Sequence, residues 1–521
     1  MKSPLEQLGQ WLEQRLGNAS GGPGSGSPGG HEDLRALLAQ LEQRGQLAQI
    51  NETVNPHLEI TAASLLSLQR GGPALLFNQV RDSRLRVLGN LFASPQRVAD
   101  ALGLADVAAM RSLGEALTFF KSPSIPKSFG AGLRALPRLA ELANLLPREV
   151  PAGPLDECVM RDQEVDLGQL PITTCWPEDA GPLITFGLVV TRGPEQPRAN
   201  LAIYRQQLIG RNRLIMRWLA HRGGATDYRA WCQRYPDQPF PIAVAIGADP
   251  ATMVAAVAPI PDTLSEYQFA GLIRGQRPEV TACLSHDLQV PARSEIVLEG
   301  FIHPGDTAEE GPFCDHTGYY NAVDQFPVMT VTAVRHRSDA IYHTSYMGRP
   351  PDDEPSQLAS ALNEMFVPLI QDQFPEICDF YLPPAACSYR VALISIRKQY
   401  PGHARRIMMG VWSWLRQFTY CKFVVVTDDD VDVRNQAELL WAISTRSDPA
   451  RDTLILDNTA IDYLDFASPV SGLGGKMGLD ATNKWPAETH RRWGRVASIT
   501  PAARERAEGL WRDWVERPVS K

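Results

Sequence analysis

Six apolar stretches with the spacing of short strands run through the middle of the chain. They are LITFGLVVTRG from Leu183, ANLAIYRQQLIG from Ala199, RLIMRWL from Arg213, IAVAIG from Ile242, SEIVLEGFI from Ser294 and FPVMTVTAVRHR from Phe326. Gly, Pro and Asp turn residues separate them, a pattern that closes into a barrel or a curled sheet. This strand-rich section covers about residues 156–340. Before it, HEDLRALLAQLEQRGQL reads as an amphipathic helix and GGPALLFNQV and RLRVLGNLF as strands, so 31–155 is expected to form an α/β domain. After it, the helical runs PSQLASALNEMFVPLIQDQF, HARRIMMGVWSWLRQF and NQAELLWAISTR alternate with the strands YRVALISI and KFVVVTDDD. That order predicts a sheet flanked by helices over 341–521. A chain of 521 residues is too long for one core, and the size prior of roughly three domains agrees with this division. Residues 1–16 place Leu5, Leu8, Trp11, Leu12 and Leu16 on one helical stripe, and the next fourteen include seven glycines. Residues 1–30 are therefore expected to be a helix on a flexible tether.

The net charge of -8 and the lack of a Lys/Arg run argue against nucleic acid, whose binding depends on cations displacing counterions. Eight scattered cysteines form no C-x-x-C pair, which fits a reducing cytosol. The most apolar long window, 239–261, is interrupted by Asp249 and prolines, so no transmembrane helix is expected. The N-terminus lacks the basic-then-apolar order of a signal peptide. GLGGKMG at 472–478 has neither dinucleotide-fold nor P-loop spacing, and G-x-S-x-G and H-E-x-x-H are absent.

Four stretches could carry chemistry. NLAIYRQQLIGRNRLIMRWLAHRGG, 200–224, holds Asn200, His221 and five arginines, with Arg229 close behind. Arginine forks suit carboxylate or phosphate oxygens, although ion pairs on a solvated strand edge would give the same composition. Glu266 in PIPDTLSEYQF follows an apolar run and could serve a hard cation alongside Asn200, or simply cap a helix. In EGPFCDHTGYY, 310–320, Gly311 and Pro312 forbid regular structure between Glu310 and Asp315, so both carboxylates can converge. Convergence would push their titrations apart and leave one as a proton donor; a solvated acid pair on a turn is the alternative. VVVTDDDVD, 424–432, reads as a strand ending in either a metal-binding cluster or a solvated turn.

Taken together, NLAIYRQQLIGRNRLIMRWLAHRGG, PIPDTLSEYQFAG, SEIVLEGFI, EGPFCDHTGYY, GRPPDDEP, HARRIMMGVWSWLRQF and SPVSGLGGKMGLDATNKW resemble the UbiD family of reversible decarboxylases. The resemblance runs from about Asp33 to the last thirty residues. It implies a multidomain α/β (α+β) fold: an N-terminal α/β domain, a central split β-barrel that binds flavin, and a C-terminal α/β oligomerisation domain ending in a helix. The implied cofactor is prenylated FMN with a divalent cation, typically Mn2+, and often a monovalent ion such as K+. The implied reaction is loss of CO2 from 4-hydroxy-3-polyprenylbenzoate, giving 2-polyprenylphenol in ubiquinone biosynthesis. A smaller aromatic or heteroaromatic acid as substrate, or a non-catalytic flavin-binding scaffold, are the alternatives.

By the same resemblance Asn200 and Glu266 are metal ligands, with His221 as a further candidate. Ile203, Tyr204, Arg205, Arg217, Trp218, Leu219, Arg222 and Gly223 surround the flavin. Arg205 is the catalytic arginine, Glu310 the carboxylate that pairs with it, and Asp315 the acid that protonates product. Cys314 stands where relatives usually carry Gly, and Ala202 where a close relative would carry Gly. The implied partners are a flavin prenyltransferase that supplies the cofactor and further copies of this chain, dimers assembled into a hexamer. The implied location is cytoplasmic, with peripheral contact at the inner face of the cell membrane to which the stripe at 5–16 would contribute. One geometric condition follows from the strand period of two. In a regular strand Asn200 and Arg205 face opposite sides, so either a bulge intervenes or the metal and carboxylate ends of the cofactor lie on different sides.

Overall fold

The computed structural model describes residues 30–121, 146–219, 222–260 and 264–514. The expected leading helix, most of its tether and His221 lie outside the described residues. The first section opens with helix Leu34–Gln43, whose N-terminus is capped by the Asp33 carboxylate accepting from the Ala36 amide at 2.9 Å. Leu34, Leu37, Leu38 and Leu41 recur at helical spacing and are buried. Strands β1 (Leu47–Val54), β2 (Ala74–Val80) and β3 (Arg86–Gly89) form the sheet beside it.

The middle section holds β4 (Cys158–Arg161), β5 (Leu183–Thr191), β6 (Asn200–Gly210), β7 (Arg213–Met216), β8 (Phe240–Ile246), β9 (Ile296–Glu310) and β10 (Asp324–His336). Strands β9-β8-β5-β6-β7-β10 pair antiparallel in that order, and β10 pairs back onto β9, closing a six-stranded barrel; β4 adds to β10 outside the ring. Closure removes every free edge of these six strands, which an open sheet this apolar would expose to aggregation. Ile184, Val189, Leu214, Met216, Ile242, Val244, Leu298 and Met329 share one buried cluster.

After the barrel the chain returns to the first sheet: β11 (Ile341–His343) runs parallel to β3, with Ile341 opposite Arg86. Helix Glu354–Gln373 then leads into the third section. Its sheet contains β12 (Ile377–Tyr381), β13 (Val391–Ile396), β14 (Phe423–Asp428), β15 (Thr453–Ala460) and β16 (Leu473–Ala481), in the spatial order β12-β13-β14-β16-β15. A single apolar cluster from Leu34 through Leu201 and Phe366 to Val426 ties the three sections together. The mixed α/β architecture with a closed central barrel agrees with the expected fold class.

The acidic turn after β14 is exposed at Asp429 and Asp430, as the solvated-turn reading expects, and it is also tied to an arginine. Asp430 takes a two-pronged pair from Arg446 at 2.8 and 2.7 Å, and Asp428 accepts from the same arginine at 3.2 Å. Arg446 lies eighteen positions beyond Asp428, out of sight of any local reading. Lys476 of GLGGKMG likewise donates to the carbonyls of Thr419, Cys421 and Ala460, which makes it a structural tie rather than a phosphate ligand.

Barrel closure depends on a tight passage at Gly300. The β9–β10 register slips between Glu299 and Gly300, and a Cβ on Gly300 would lie 2.1 Å from the Thr330 carbonyl oxygen. We expect Gly300→Ala to cost about 3 kcal/mol, because backbone, not a flexible side chain, would have to move. Urea denaturation measures this, and an unchanged midpoint would show that the strand pair relaxes freely.

Candidate active site

Arg205 sits where β5 and β6 lose register. Ile184 faces Gln206 and Gly187 faces Tyr204, so Thr185 and Phe186 together oppose Arg205. Such a bulge re-aims the side chain opposite it. The guanidinium is 5% exposed and forks onto Glu310, Nε to Oε1 at 2.7 Å and Nη2 to Oε2 at 3.1 Å, while Nη1 donates to Asp315 Oδ2 at 2.7 Å.

Glu310 is the last residue of β9 and is fully buried. The chain then turns at Gly311, whose φ of +94° lies in the region that favours glycine. Gln207 accepts from the Gly311 amide at 3.0 Å, Asn321 from the Phe313 amide at 2.7 Å and Asp179 from the Cys314 amide at 3.1 Å. These three side chains hold the loop that delivers Asp315. Cys314 thus occupies its position with a satisfied backbone, and its thiol is pushed up to about 12 by burial, out of the range of a working thiolate.

Charge alternates outward from Arg205. Arg217 stands 3.5 Å from Glu310 Oε2, stacked on the rings of Phe326 and Tyr463 at 5.6 and 5.0 Å. Burial, then the neighbouring Arg205 charge, lowers its pKa to about 10. His316 donates its backbone N–H to Asp315 Oδ1 at 2.8 Å, and its Nδ1 lies 2.9 Å from the same oxygen. Its Nε2 is 3.4 Å from Asp462 Oδ2, which Arg390 Nη2 approaches at 3.2 Å. Burial opposes charge on Asp315, yet Arg205 and then His316 outweigh it and hold the carboxyl far below its usual range.

A second group assembles at the other end of β6. Asn200 and Tyr204 share one face of the strand, where Asn200 Nδ2 donates to Thr191 Oγ1 at 3.3 Å, while Arg205 emerges on the opposite face. The bulge lies on β5 rather than on β6, so the strand period holds between Asn200 and Arg205 and the two side chains leave on opposite faces. Tyr204 Oη accepts from the Gly224 amide at 3.1 Å, and a Cβ on Gly223 would lie 2.4 Å from Asn200 Oδ1. Glu266 begins helix Glu266–Arg274 and accepts from the Leu201 amide at 3.4 Å. Burial raises its pKa to about 7. Among the described residues no three His, Cys, Asp or Glu side chains gather into one metal-binding group. Asn200 and Glu266 nevertheless suit a hard cation, because both offer oxygen ligands and desolvation disfavours the bare Glu266 carboxylate.

Of the remaining expected flavin neighbours, Ile203 packs against the main core and Trp218 packs edge-on to Tyr204 at 6.2 Å, with its indole 5% exposed. Leu219 and Arg222 flank the undescribed pair 220–221. Among the described residues the buried Nε1 of Trp218 has no hydrogen-bond acceptor, which leaves room for a polar group of a bound cofactor beside it. Arg211 and Arg213 do not join the site; Arg213 pairs with Asp306 at the barrel rim and Arg211 is mostly exposed. Sequence reasoning missed Asp179, Gln207, Asn321 and Asp462 as supports, and it quoted His316 without giving it a role. Next to Arg205, Cys175, Trp176, Asp179, Leu183, Thr185, Cys314 and Met347 wall a small, mostly apolar cavity of about 10 Å³.

The chain matches three family models in order. They describe the 3-octaprenyl-4-hydroxybenzoate carboxy-lyase N-terminal domain over 38–117, its Rift-related domain over 148–350 and its C-terminal domain over 356–481. Among solved structures it is similar to the UbiD-class enzyme HmfF from Pelotomaculum thermopropionicum in complex with FMN, with 30% identity, coverage of 91% of this chain and 98% of that one, and a TM-score of 0.75. An evolved dimeric form of that enzyme in complex with prenylated FMN matches at 29% identity, 91% and 98% coverage, and a TM-score of 0.73. Vanillic acid decarboxylase from Sedimentibacter hydroxybenzoicus, in its closed form, matches at 28% identity, 92% and 98% coverage, and a TM-score of 0.78. With all three sections matched in sequence and the whole architecture matched in space, this chain belongs to the UbiD family of decarboxylases, the carboxy-lyases.

Proposed function

We propose that this chain catalyses the prenylated-FMN-dependent, non-oxidative decarboxylation of 4-hydroxy-3-polyprenylbenzoate to 2-polyprenylphenol, a step of ubiquinone biosynthesis. The observation that carries the reaction class is the buried Arg205 shared between Glu310 and Asp315 beside an apolar pocket. The substrate reading is supported by the family description, which names a polyprenylated hydroxybenzoate. A second reading, a smaller aromatic acid, is favoured by the close walls of Trp176, Leu183 and Met347 and by a relative that acts on vanillic acid.

Losing CO2 leaves an electron pair on a ring carbon, and prenylated FMN, when bound, supplies the electron sink that side chains lack. Arg205 offers the substrate carboxylate a planar fork already paired on one side by Glu310, which keeps it oriented and charged. A carboxylate arriving at Arg205 Nη1 competes with Asp315 for that donor. The displaced Asp315 is then free to carry a proton to the carbon that has lost CO2. Arg217, Trp218 and Gly223 would flank the flavin, and Asn200 and Glu266 would hold Mn2+. Prenylated FMN from a flavin prenyltransferase, assembly into hexamers and peripheral membrane contact belong to the same reading. Among the described residues no helix is long and apolar enough to cross a membrane.

The direct test is anaerobic CO2 release from a 3-prenylated 4-hydroxybenzoate and from vanillic acid, using protein made with and without a flavin prenyltransferase. We expect release from the prenylated acid only after co-production; release from vanillic acid alone would move the substrate to the second reading. Asp315→Asn should lower kcat by about a hundredfold or more with flavin absorbance unchanged, and near-normal turnover would remove Asp315 from proton transfer. Glu266→Gln should weaken Mn2+ binding at least about tenfold yet stabilise the metal-free protein, since desolvation disfavours the Glu266 charge. Manganese titration and thermal melting read these opposite effects, and unchanged manganese affinity would exclude Glu266 as a ligand.

A further inference from the structure

Every decarboxylation of this kind consumes one proton: the substrate carboxylate leaves as neutral CO2, and the ring carbon keeps the electron pair and must be protonated. Resting on the proposed function, Asp315 is the donor and has to be reloaded each cycle. Among the described residues two side chains touch its carboxylate, Arg205 at 2.7 Å and His316 at 2.9 Å. A guanidinium does not release a proton in a protein, whereas an imidazolium does.

We propose that His316 is a positioning residue that carries the replacement proton to Asp315, and that Asp462, fixed by Arg390, keeps the imidazole charged for the task. The geometry suits both halves. Nδ1 faces Asp315 Oδ1, and Nε2 faces Asp462 Oδ2 at 3.4 Å. Asp462 is itself held by Arg390 Nη2 at 3.2 Å and by the Leu464 amide at 3.1 Å. The ring keeps 29% of its surface open, a route for solvent protons. In the transfer the Nδ1–H bond breaks and an Oδ1–H bond forms. The nitrogen retains its electron pair, and the neutral ring keeps Nε2–H toward Asp462. Asp315 then passes the proton to carbon, and His316 regains one from water.

The surrounding charges favour the imidazolium. Asp315 adjoins it in its own loop, Asp462 faces it from the segment after β15, and Asp353 acts on it from the start of helix Glu354–Gln373. Arg205, Arg217 and Arg390 stand behind those carboxylates rather than against the ring. Burial opposes the charge, but the bonds to Asp315 and Asp462 prevail and raise the pKa to about 9. His316 is thus loaded at neutral pH and empties above about 9.

The test combines histidine-selective NMR titration of the whole protein with kinetics of the flavin-loaded enzyme. We expect His316 to titrate well above the ordinary histidine value and Asp462→Asn to lower it. We also expect His316→Asn to reduce kcat about a hundredfold with KM unchanged and the alkaline limb of the pH profile lost. His316→Ala should regain rate with added imidazole, and Asp462→Asn should move the alkaline limb to lower pH. A His316 titration at or below the ordinary value overturns the proposal even if no substrate is turned over. So does an active wild type whose His316→Asn rate lies within about twofold of it and whose pH profile is unmoved. An inactive wild type with the raised titration instead counts against the proposed substrate, while upholding the charge state inferred here.

Discussion

The buried pairing of Arg205 with Glu310 and Asp315 is the constraint around which the site is arranged. Taking three ions out of water costs several kcal/mol each, and the attraction among them offsets this only when the hydrogen bonds are complete. Here every guanidinium nitrogen is engaged: Arg205 spends Nε and Nη2 on Glu310 and Nη1 on Asp315. Two carboxylates against one guanidinium would still leave a net negative charge. Arg217 beside Glu310 and His316 beside Asp315 offset it, and Asp462 with Arg390 continues the alternation. A group at the centre can therefore exchange partners, Asp315 for a substrate carboxylate, without leaving a bare charge.

Barrel closure makes that arrangement reachable. Arg205 comes from β6 and Glu310 from the end of β9, strands that are not hydrogen-bonded neighbours. They meet because β7 and β10 complete the ring between them, and because the β5 bulge turns Arg205 toward the rim where β9 ends. The same strand serves a second purpose through its alternation. Asn200 and Tyr204 lie on the face shared with Gly223 and Gly224, so one strand separates that group from the Arg205–Glu310–Asp315 cluster.

How legible this was in the sequence depended on the range of the interaction. The six strand patterns predicted the barrel because alternation and turn residues are local signals. The convergence of Glu310 and Asp315 was likewise legible, since Gly311 and Pro312 left the chain little choice. What escaped were supports supplied from far along the chain: Asp179 reaches the Cys314 amide across 135 positions, and Gln207 reaches Gly311 across 104. The density of arginines between 205 and 229 was a misleading cue, because charge at a strand edge and charge in a buried fork share one composition. Only Arg205 and Arg217 of that group face Glu310. The acidic turn at 428–430 was legible as an exposed strand end, but its partner Arg446, one helix away, was not.

The third section contributes more to the site than its distance in sequence suggests. Three residues of one short segment reach the catalytic loop and its neighbours: Asp462 to His316, Tyr463 under Arg217 and Phe466 edge-on to Tyr319 at 5.9 Å. That segment is anchored in its own section, where Arg390 and Lys422 hold Asp465, Lys422 at 2.8 Å. Its contacts with the barrel are mostly charge–charge and cation–ring, which weaken steeply once water enters. Docking of the third section and the charge state of the loop therefore depend on each other. A neutral His316 loosens its hold on Asp462, and a displaced Asp462 removes a charge that keeps His316 protonated. The site is complete only when barrel and third section are seated together.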